Sequence, residues 1–135
     1  MEIARKKVDG QRSRGYDRLQ KDSGVKALIC GGRDYGNILR MRREIEALKP
    51  SAIIVGDASG ADALARRIAL NNKIPCTTFH ADWKHEGRRA GPIRNQRMLE
   101  QGRPDIVLAF PGGKGTADMV RRARKAGVKT IEITP

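Results

Sequence analysis

The chain contains few aromatic residues and no long apolar segment. Phe, Trp and Tyr make up 4% of its 135 residues, and no run approaches the ~18 apolar residues of a transmembrane helix. Residues 1–21 are charged and lack the apolar centre of a secretory signal. Cys30 and Cys76 fall in apparent strands, which favours two buried thiols over a disulfide. We therefore expect a cytoplasmic protein with no membrane partner.

Two common ligand motifs are also missing. Gly31 and Gly32, which follow the first apolar run, lack the G-x-G-x-x-G spacing of the standard dinucleotide fingerprint. Potential metal ligands occur between residues 80 and 86, but their spacing matches no metal motif. We therefore expect no metal site and no cofactor.

Positive charge is in excess along the whole chain. The formal net charge is +13, of which residues 1–24 contribute +3 and the remainder +10. This balance favours anionic partners such as nucleotides, nucleic acid or acidic proteins, although a solvated surface would also account for it. Residues 1–24 show no sustained period and predict a basic flexible arm. Residues 25–135 have the length of one domain.

Apolar runs alternate with helical periods through that domain. Strands are predicted at residues 25–30, 52–55, 75–79, 106–110 and 128–133, with four helices between them and a polar loop at 80–91. Ser59 is the expected N-cap of the second helix, and Pro92 suits the first turn of the third. Near-continuous apolar strands indicate a parallel sheet with helices on both faces. The predicted fold is α/β, a small doubly wound Rossmann-like domain that binds ligands beyond the carboxyl ends of its strands.

The strongest functional signal is the glycine-rich turn between the fourth strand and its helix. Glycine lets the backbone approach a ligand closely, and the free N–H groups and dipole of a helix start attract phosphate. Lys114 could steer the phosphate toward this turn. A tight turn is the alternative, but three glycines and a threonine exceed what a turn needs. The predicted phosphate cradle consists of Gly112, Gly113, Gly115 and Thr116.

Basic and amide side chains near the other turns are further candidates for ligand contacts. Arg33, which follows Gly31, could pair with a phosphate or simply be solvated. Arg94 and Asn95 are expected in the first turn of the third helix. Because the helix dipole disfavours a cation there, Arg94 points to a bound anion, although both side chains could instead face water.

Two acidic residues and the single tryptophan complete the candidate site. Asp57 and Asp62 follow the second strand, and either could contact a ribose hydroxyl. Asp62 also has a local explanation, because an acid in the first turn offsets the helix dipole. Trp83 could cover a base from a flexible lid or anchor its loop to the body of the domain.

Five short motifs, in this order along residues 25–134, resemble the SLOG superfamily, the Rossmann-like group that unites the SMF/DprA and LOG proteins. They are most similar to its YspA/YpsA-related branch of small, often phage-borne proteins. The resemblance implies a nucleotide or nucleotide-derived ligand at the glycine loop, bound by a sensor or processing module, and leaves a homo-oligomer open. The motifs are Gly31–Asp34, Gly60–Ala65, Ala81–Trp83, Gly91–Asn95 and Pro111–Asp118.

The resemblance also raises the LOG reaction, in which a nucleoside monophosphate is cleaved to base and ribose phosphate. LOG enzymes carry P-G-G-x-G-T-x-x-E, whose glutamate acts in catalysis, but Met119 occupies that position here. Neighbouring helix residues point about 100° apart, so Asp118 is not a direct replacement. Asp118 and Asp57 are the candidate catalytic residues if the chain is such an N-glycosidic hydrolase, and whether it is an enzyme stays open.

A third alternative is sequence-independent nucleic-acid binding, as in the SMF/DprA relatives. Basic side chains on the last predicted helix would contact the phosphate backbone without stacking on bases. A solvated helix face would explain the same residues. They are Arg121, Arg122, Arg124 and Lys125.

Overall fold

A computed structural model of the protein describes residues 24–135, so the expected arm, residues 1–24, lies outside the described residues apart from Gly24. The strands are β1 Lys26–Cys30, β2 Ala52–Val55, β3 Cys76–Thr78, β4 Ile106–Ala109 and β5 Lys129–Glu132. The helices are α1 Ile38–Leu48, α2 Ala61–Asn71, α3 Trp83–Glu86, α4 Ala90–Gly102 and α5 Lys114–Lys125, with a 3₁₀ turn at Gly87–Arg89.

The strands form one parallel sheet in the order β3-β2-β1-β4-β5. The order reverses at β1, where Leu28 lies opposite Ile54 of β2 on one side and Val107 of β4 on the other. The chain therefore leaves β1 and β4 toward opposite faces of the sheet, which opens a crevice between their carboxyl ends. This topology confirms the predicted doubly wound α/β fold.

The central strand is buried on both sides. Ala27 and Ile29 belong to the apolar cluster that α1 and α2 form on one face of the sheet. Leu28 and Cys30 belong to the second cluster, which α4 and α5 form on the other face. Because both faces are covered, residues 27–30 of the strand form an unbroken apolar run instead of an alternating one.

The start of α2 differs from the prediction. Its N-cap is Gly60, with φ 71°, whereas Ser59 Oγ donates a hydrogen bond to the Arg33 carbonyl oxygen at 3.2 Å. A Cβ at Gly60 would collide with the carbonyl oxygens of Gly32 and Arg33. The close approach of the β1–α1 loop and the positive φ together require glycine here.

The segment before α4 is more ordered than the predicted polar loop. Asp82 caps α3 by accepting a hydrogen bond from the His85 N–H at 3.2 Å, and the 3₁₀ turn connects α3 directly to α4. Since α4 begins at Ala90, Pro92 lies in its first turn as expected, but Arg94 and Asn95 lie one turn further, contrary to the prediction. The dipole argument for an anion beside Arg94 was therefore wrong.

The two cysteines are both free, and only one is buried. Cys30 lies in the central strand, whereas Cys76 lies on the edge strand β3 and is exposed, contrary to the expectation of two buried thiols. An edge strand has no neighbour on its outer side to cover it. Between residues 24 and 135, no helix combines the length and apolar character needed to cross a bilayer.

Candidate functional site

A cleft with a volume of about 1480 Å³ lies at the carboxyl edge of the sheet, beside the point where the strand order reverses. Its walls are the loops after β1, β2 and β4 and the first turns of α4. The fold brings all of the predicted site residues to this cleft, and their roles in binding stay predictions. They are Gly31, Arg33, Asp57, Asp62, Arg94, Asn95, Gly112, Gly113, Lys114, Gly115, Thr116 and Asp118.

The β1–α1 loop joins the two loops beside it. The Gly32 N–H donates to the Pro111 carbonyl oxygen at 2.9 Å, and the Gly32 carbonyl oxygen accepts from the Ala61 N–H at 3.0 Å. A Cβ at Gly112 would collide with Thr116 Oγ1 and with the Gly32 backbone nitrogen. Glycine at position 112 therefore allows the β4–α5 turn to pack against this loop.

The N-terminus of α5 is open toward the cleft. Its N-cap, Gly113, has no side chain, and no other side chain caps the helix. The first N–H with a protein acceptor is that of Ala117, which donates to the Gly113 carbonyl oxygen at 3.0 Å. In the described part of the chain, no acceptor reaches the N–H groups of Gly113, Lys114, Gly115 and Thr116. These four donors and the positive end of the helix dipole are available to an anion.

The N-terminus of α2 carries an acid instead. Asp62 is 6% exposed, and its Oδ2 accepts a hydrogen bond from the Ala58 N–H at 3.1 Å. No other hydrogen bond or ion pair reaches this carboxylate from residues 24–135. Burial raises the pKa of Asp62, and the Ala58 hydrogen bond and the charges of Arg94 and Arg66 oppose that rise.

Asp57 and Arg94 form an ion pair across the cleft wall. Arg94 Nη1 lies 2.8 Å from Asp57 Oδ1, and Arg94 Nε donates to Asn95 Oδ1 at 3.1 Å. Asp57 Oδ2 accepts from the Ala81 N–H at 3.3 Å and lies 3.3 Å from His80 Nδ1. Asp57 thus connects α4 to the segment that precedes Trp83, and these two charges already have protein partners.

Asp118 lies at the centre of a second polar network. Its Oδ1 accepts from Arg121 at 2.5 Å, and its Oδ2 accepts from Arg122 at 2.8 Å and from Asn95 Nδ2 at 3.0 Å. Asn95 Nδ2 also contacts the Gly115 carbonyl oxygen at 3.2 Å. The network ties α4 to the first turns of α5, which fixes the position of the open helix terminus.

Sequence reasoning missed several residues of the cleft wall, among them Tyr35 and Arg88, and left the role of Trp83 open. Trp83 is 48% exposed, and the Arg33 guanidinium lies 5.8 Å from its ring centroid. Tyr35 packs against Phe110 with ring centroids 5.4 Å apart, and burial raises the pKa of its phenol. The single tryptophan was a visible signal, whereas Tyr35 and Arg88 reach the cleft through loop geometry.

Cys30 is the cysteine that lines the cleft. Burial, reinforced by the nearby charge of Asp62, raises the pKa of Cys30 to about 12. The thiol at the end of β1 is therefore protonated at neutral pH and is a poor nucleophile. Within residues 24–135, no group of three or more His, Cys, Asp or Glu side chains is placed to hold a metal ion.

The fold and the cleft define a Rossmann-like α/β domain with an uncapped helix terminus beside the point where the strand order reverses. A structural likeness supports this class: a crystal structure of UDP-N-acetylglucosamine 2-epimerase superposes with a TM-score of 0.53 at 13% identity. The superposition covers 82% of this chain and 33% of the epimerase, so the chain spans a third of that protein. The likeness shows the fold alone.

Sequence comparison identifies the family. The family model described as YAcAr, the YspA, cpYpsA-related SLOG family, matches residues 25–85. The Gene 61 protein of Mycobacterium phage D29 is 37% identical over 88 residues, which cover 60% of this chain and 70% of the phage protein. The chain belongs to the YspA, cpYpsA-related SLOG family, as the five motifs predicted.

Proposed function

We propose that this protein binds a nucleotide or nucleotide-derived ligand whose phosphate group lies at the N-terminus of α5. The observation that carries the proposal is the set of four backbone N–H groups, from Gly113 to Thr116, without a protein acceptor in the described region. A phosphate accepts hydrogen bonds from such donors, and its charge is favoured by the helix dipole. Membership of the SLOG family supports a nucleotide-related ligand.

The rest of the cleft suits the remainder of such a ligand. Trp83 is 48% exposed, and the Arg33 guanidinium lies over its ring, so a base can stack on the part of the ring that remains exposed. Lys114 and the formal net charge of +13 attract an anionic ligand over a longer range. We infer a cytoplasmic sensor or processing module.

The geometry supports binding better than N-glycosidic hydrolysis. Both oxygens of Asp118 already accept hydrogen bonds from protein donors. Met119, at the position of the catalytic glutamate in the LOG motif, is 1% exposed within the apolar core. To act as a general acid or base, Asp118 would first have to give up these hydrogen bonds. An acidic residue at position 119 would have to leave the apolar core.

Nucleic-acid binding through α5 is likewise less well supported. Arg121 and Arg122 contact Asp118, and Arg124 lies 3.0 Å from Glu132. Of the four basic residues predicted for this role, Lys125 is the one with no acidic partner between residues 24 and 135. Cations that are already paired gain less from a phosphate backbone.

The phosphate position can be tested with Gly115→Asp. A Cβ at Gly115 meets no atom within 4 Å, and an acid in the first helical turn is favourable for the helix dipole, so the fold is preserved. The new carboxylate repels a phosphate and competes for the same N–H groups. We expect at least a roughly ten-fold loss of affinity for nucleoside monophosphates, measured by isothermal titration calorimetry.

Ala117→Asp is the matched control. It adds the same charge to the same helix, but Ala117 lies about 200° around the helix from Gly115 and does not line the cleft. We expect this variant to keep most of the wild-type affinity. Equal affinities of the wild type and Gly115→Asp would refute the phosphate position.

A further inference from the structure

Asp62 has fewer partners than the other buried polar side chains in the described region. Three such residues are buried: Asp62, Asn95 and Asp118. Asn95 and Asp118 contact each other and further groups, whereas the Asp62 carboxylate receives a single hydrogen bond, from Ala58. A carboxylate has about four lone-pair sites. A buried one with a single donor calls for an explanation.

A local structural role explains the acid but not its burial. An acid in the first turn of α2 offsets the helix dipole equally well when its carboxylate is exposed. Asp62 instead lines the cleft at 6% exposure. The second carboxylate after β2, Asp57, is already occupied by Arg94 and by the Ala81 N–H. Of these two carboxylates, Asp62 is therefore the one that can still accept hydrogen bonds from a ligand.

The chemistry of the missing partner follows from its neighbours. A Cβ at Gly56 would lie 2.6 Å from Arg94 Nη1 and 2.8 Å from Asp62 Oδ2, so a positive charge already stands beside the carboxylate. A ligand ammonium group would be repelled by that guanidinium. A neutral hydroxyl donates to the carboxylate without this repulsion.

The two ends of the cleft have opposite hydrogen-bonding character. The start of α5 offers backbone N–H donors, whereas Asp62, at the start of α2, offers carboxylate acceptors. The strands that lead to these helices, β4 and β2, flank β1, so they lie two strand spacings apart, roughly 10 Å. A ligand that satisfies both ends carries an anion on one side and hydroxyl groups a short distance away, as a sugar phosphate does.

We infer that Asp62 accepts a hydrogen bond from a ribose hydroxyl of the bound ligand, and that the site thereby selects ribonucleotides over deoxyribonucleotides. This inference rests on the proposed phosphate position at α5. A deoxy ligand would leave the buried carboxylate without its donor, and a site built to bond a hydroxyl discriminates strongly against an analogue that lacks it.

The test uses titration calorimetry with the four common ribonucleoside 5′-monophosphates and their 2′-deoxy and 3′-deoxy forms. We expect the ribonucleotide to bind about ten-fold or more tightly than its 2′-deoxy form. A loss confined to the 3′-deoxy form would overturn the selection of ribonucleotides over deoxyribonucleotides. Equal affinities for all three forms would overturn the inference and leave the proposed function intact. No binding by any of these nucleotides would overturn both.

Variants at Asp62 assign the preference to this side chain. We expect Asp62→Ala to bring the affinity ratio close to one. Asp62→Asn should keep a few-fold preference, because an amide makes a neutral hydrogen bond in place of a charged one. Asp34→Asn, which neutralises an exposed carboxylate on the same cleft, should keep the full ratio. An unchanged ratio in Asp62→Ala, with melting temperatures showing a folded protein, would refute the role of Asp62.

Discussion

Asp62 lowers the stability of the folded protein at neutral pH. Burial raises the pKa of its carboxyl, so the native state favours the neutral form more than the unfolded chain does. A group whose pKa is higher in the folded protein than in the unfolded chain stabilises the fold fully at pH values below its pKa in the unfolded chain. This contribution is lost as the pH rises through its pKa in the folded protein. Binding sites commonly retain residues that reduce stability in this way. The cost is consistent with a side chain kept for a ligand.

The effect of Asp62 on the stability of the folded protein can be measured without any ligand. Asn at position 62 can still accept the Ala58 hydrogen bond but carries no charge. We therefore expect Asp62→Asn to melt at a higher temperature than the wild type near pH 7, and the difference to shrink toward pH 4 or so. Thermal unfolding of both proteins between about pH 4 and pH 7 checks the sign of this difference in melting temperature. A variant that is less stable at pH 7, by a margin that grows with pH, would contradict it.

The α4–α5 pair depends on polar contacts as well as on its apolar core. Asp118 joins Asn95 of α4 to Arg121 and Arg122 of α5, and it is 8% exposed. Removing the carboxylate would leave one N–H of the buried Asn95 amide and the Arg122 Nε–H without an acceptor, while the other Asn95 N–H would keep the Gly115 carbonyl oxygen. The penalty for unsatisfied groups of this kind is about 1–3 kcal/mol.

We expect Asp118→Ala to lower the free energy of unfolding by about that amount, 1–3 kcal/mol, in denaturant titrations. Glu132→Gln provides the comparison, because it weakens the exposed Arg124–Glu132 pair, whose side chains are 55% and 59% exposed. Exposed pairs contribute little, so this change should stay within about 0.5 kcal/mol. If Asp118→Ala, like Glu132→Gln, lost no more than about 0.5 kcal/mol, the buried network would add no more stability than an exposed ion pair.

The elements that the sequence predicts well are those whose signal is local. The apolar run of β1 lies within a few consecutive residues and occurs where expected. The predicted glycine turn is shorter than expected, because α5 begins at Lys114 and includes Gly115 and Thr116 in its first turn. The four-residue helix α3 is too short to show a helical period, so the sequence predicts a loop there. Gly60 replaces Ser59 as N-cap because the chain packs against a loop distant in sequence.

The candidate site also combines features that the sequence predicts with features that it does not. The positions of its residues at one edge follow from the parallel topology, because every β–α turn meets there. The contacts within the site do not follow from local pattern. Arg94 and Asp57 pair across 37 positions in the sequence, and Asn95 contacts Asp118 across 23. Whether a charge is free for a ligand depends on such long-range pairs, which periodicity and spacing do not encode.

At the scale of the whole molecule, the sheet order places the cleft beside the most protected strand. β1 is bonded to β2 on one side and to β4 on the other, and Cys30 ends it at 7% exposure. Burial raises its pKa to about 12, so this thiol is almost entirely protonated at pH 8. The thiol of Cys76, on the edge strand, is exposed instead of buried, although partial burial raises its pKa as well.

We therefore expect a maleimide to label Cys76 in the native protein while Cys30 stays unreacted, as mass spectrometry would show. In a Cys76→Ser background, modification of Cys30 should proceed only as fast as the central sheet opens, and a bound nucleotide should slow it because ligands of the native state suppress opening. Cys30 reacting as fast as Cys76 under native conditions would mean that β1 is not the protected centre of the molecule. Slowing by a nucleotide in the wild type but not in Gly115→Asp would link this global protection to the helix terminus at which the phosphate is proposed to lie.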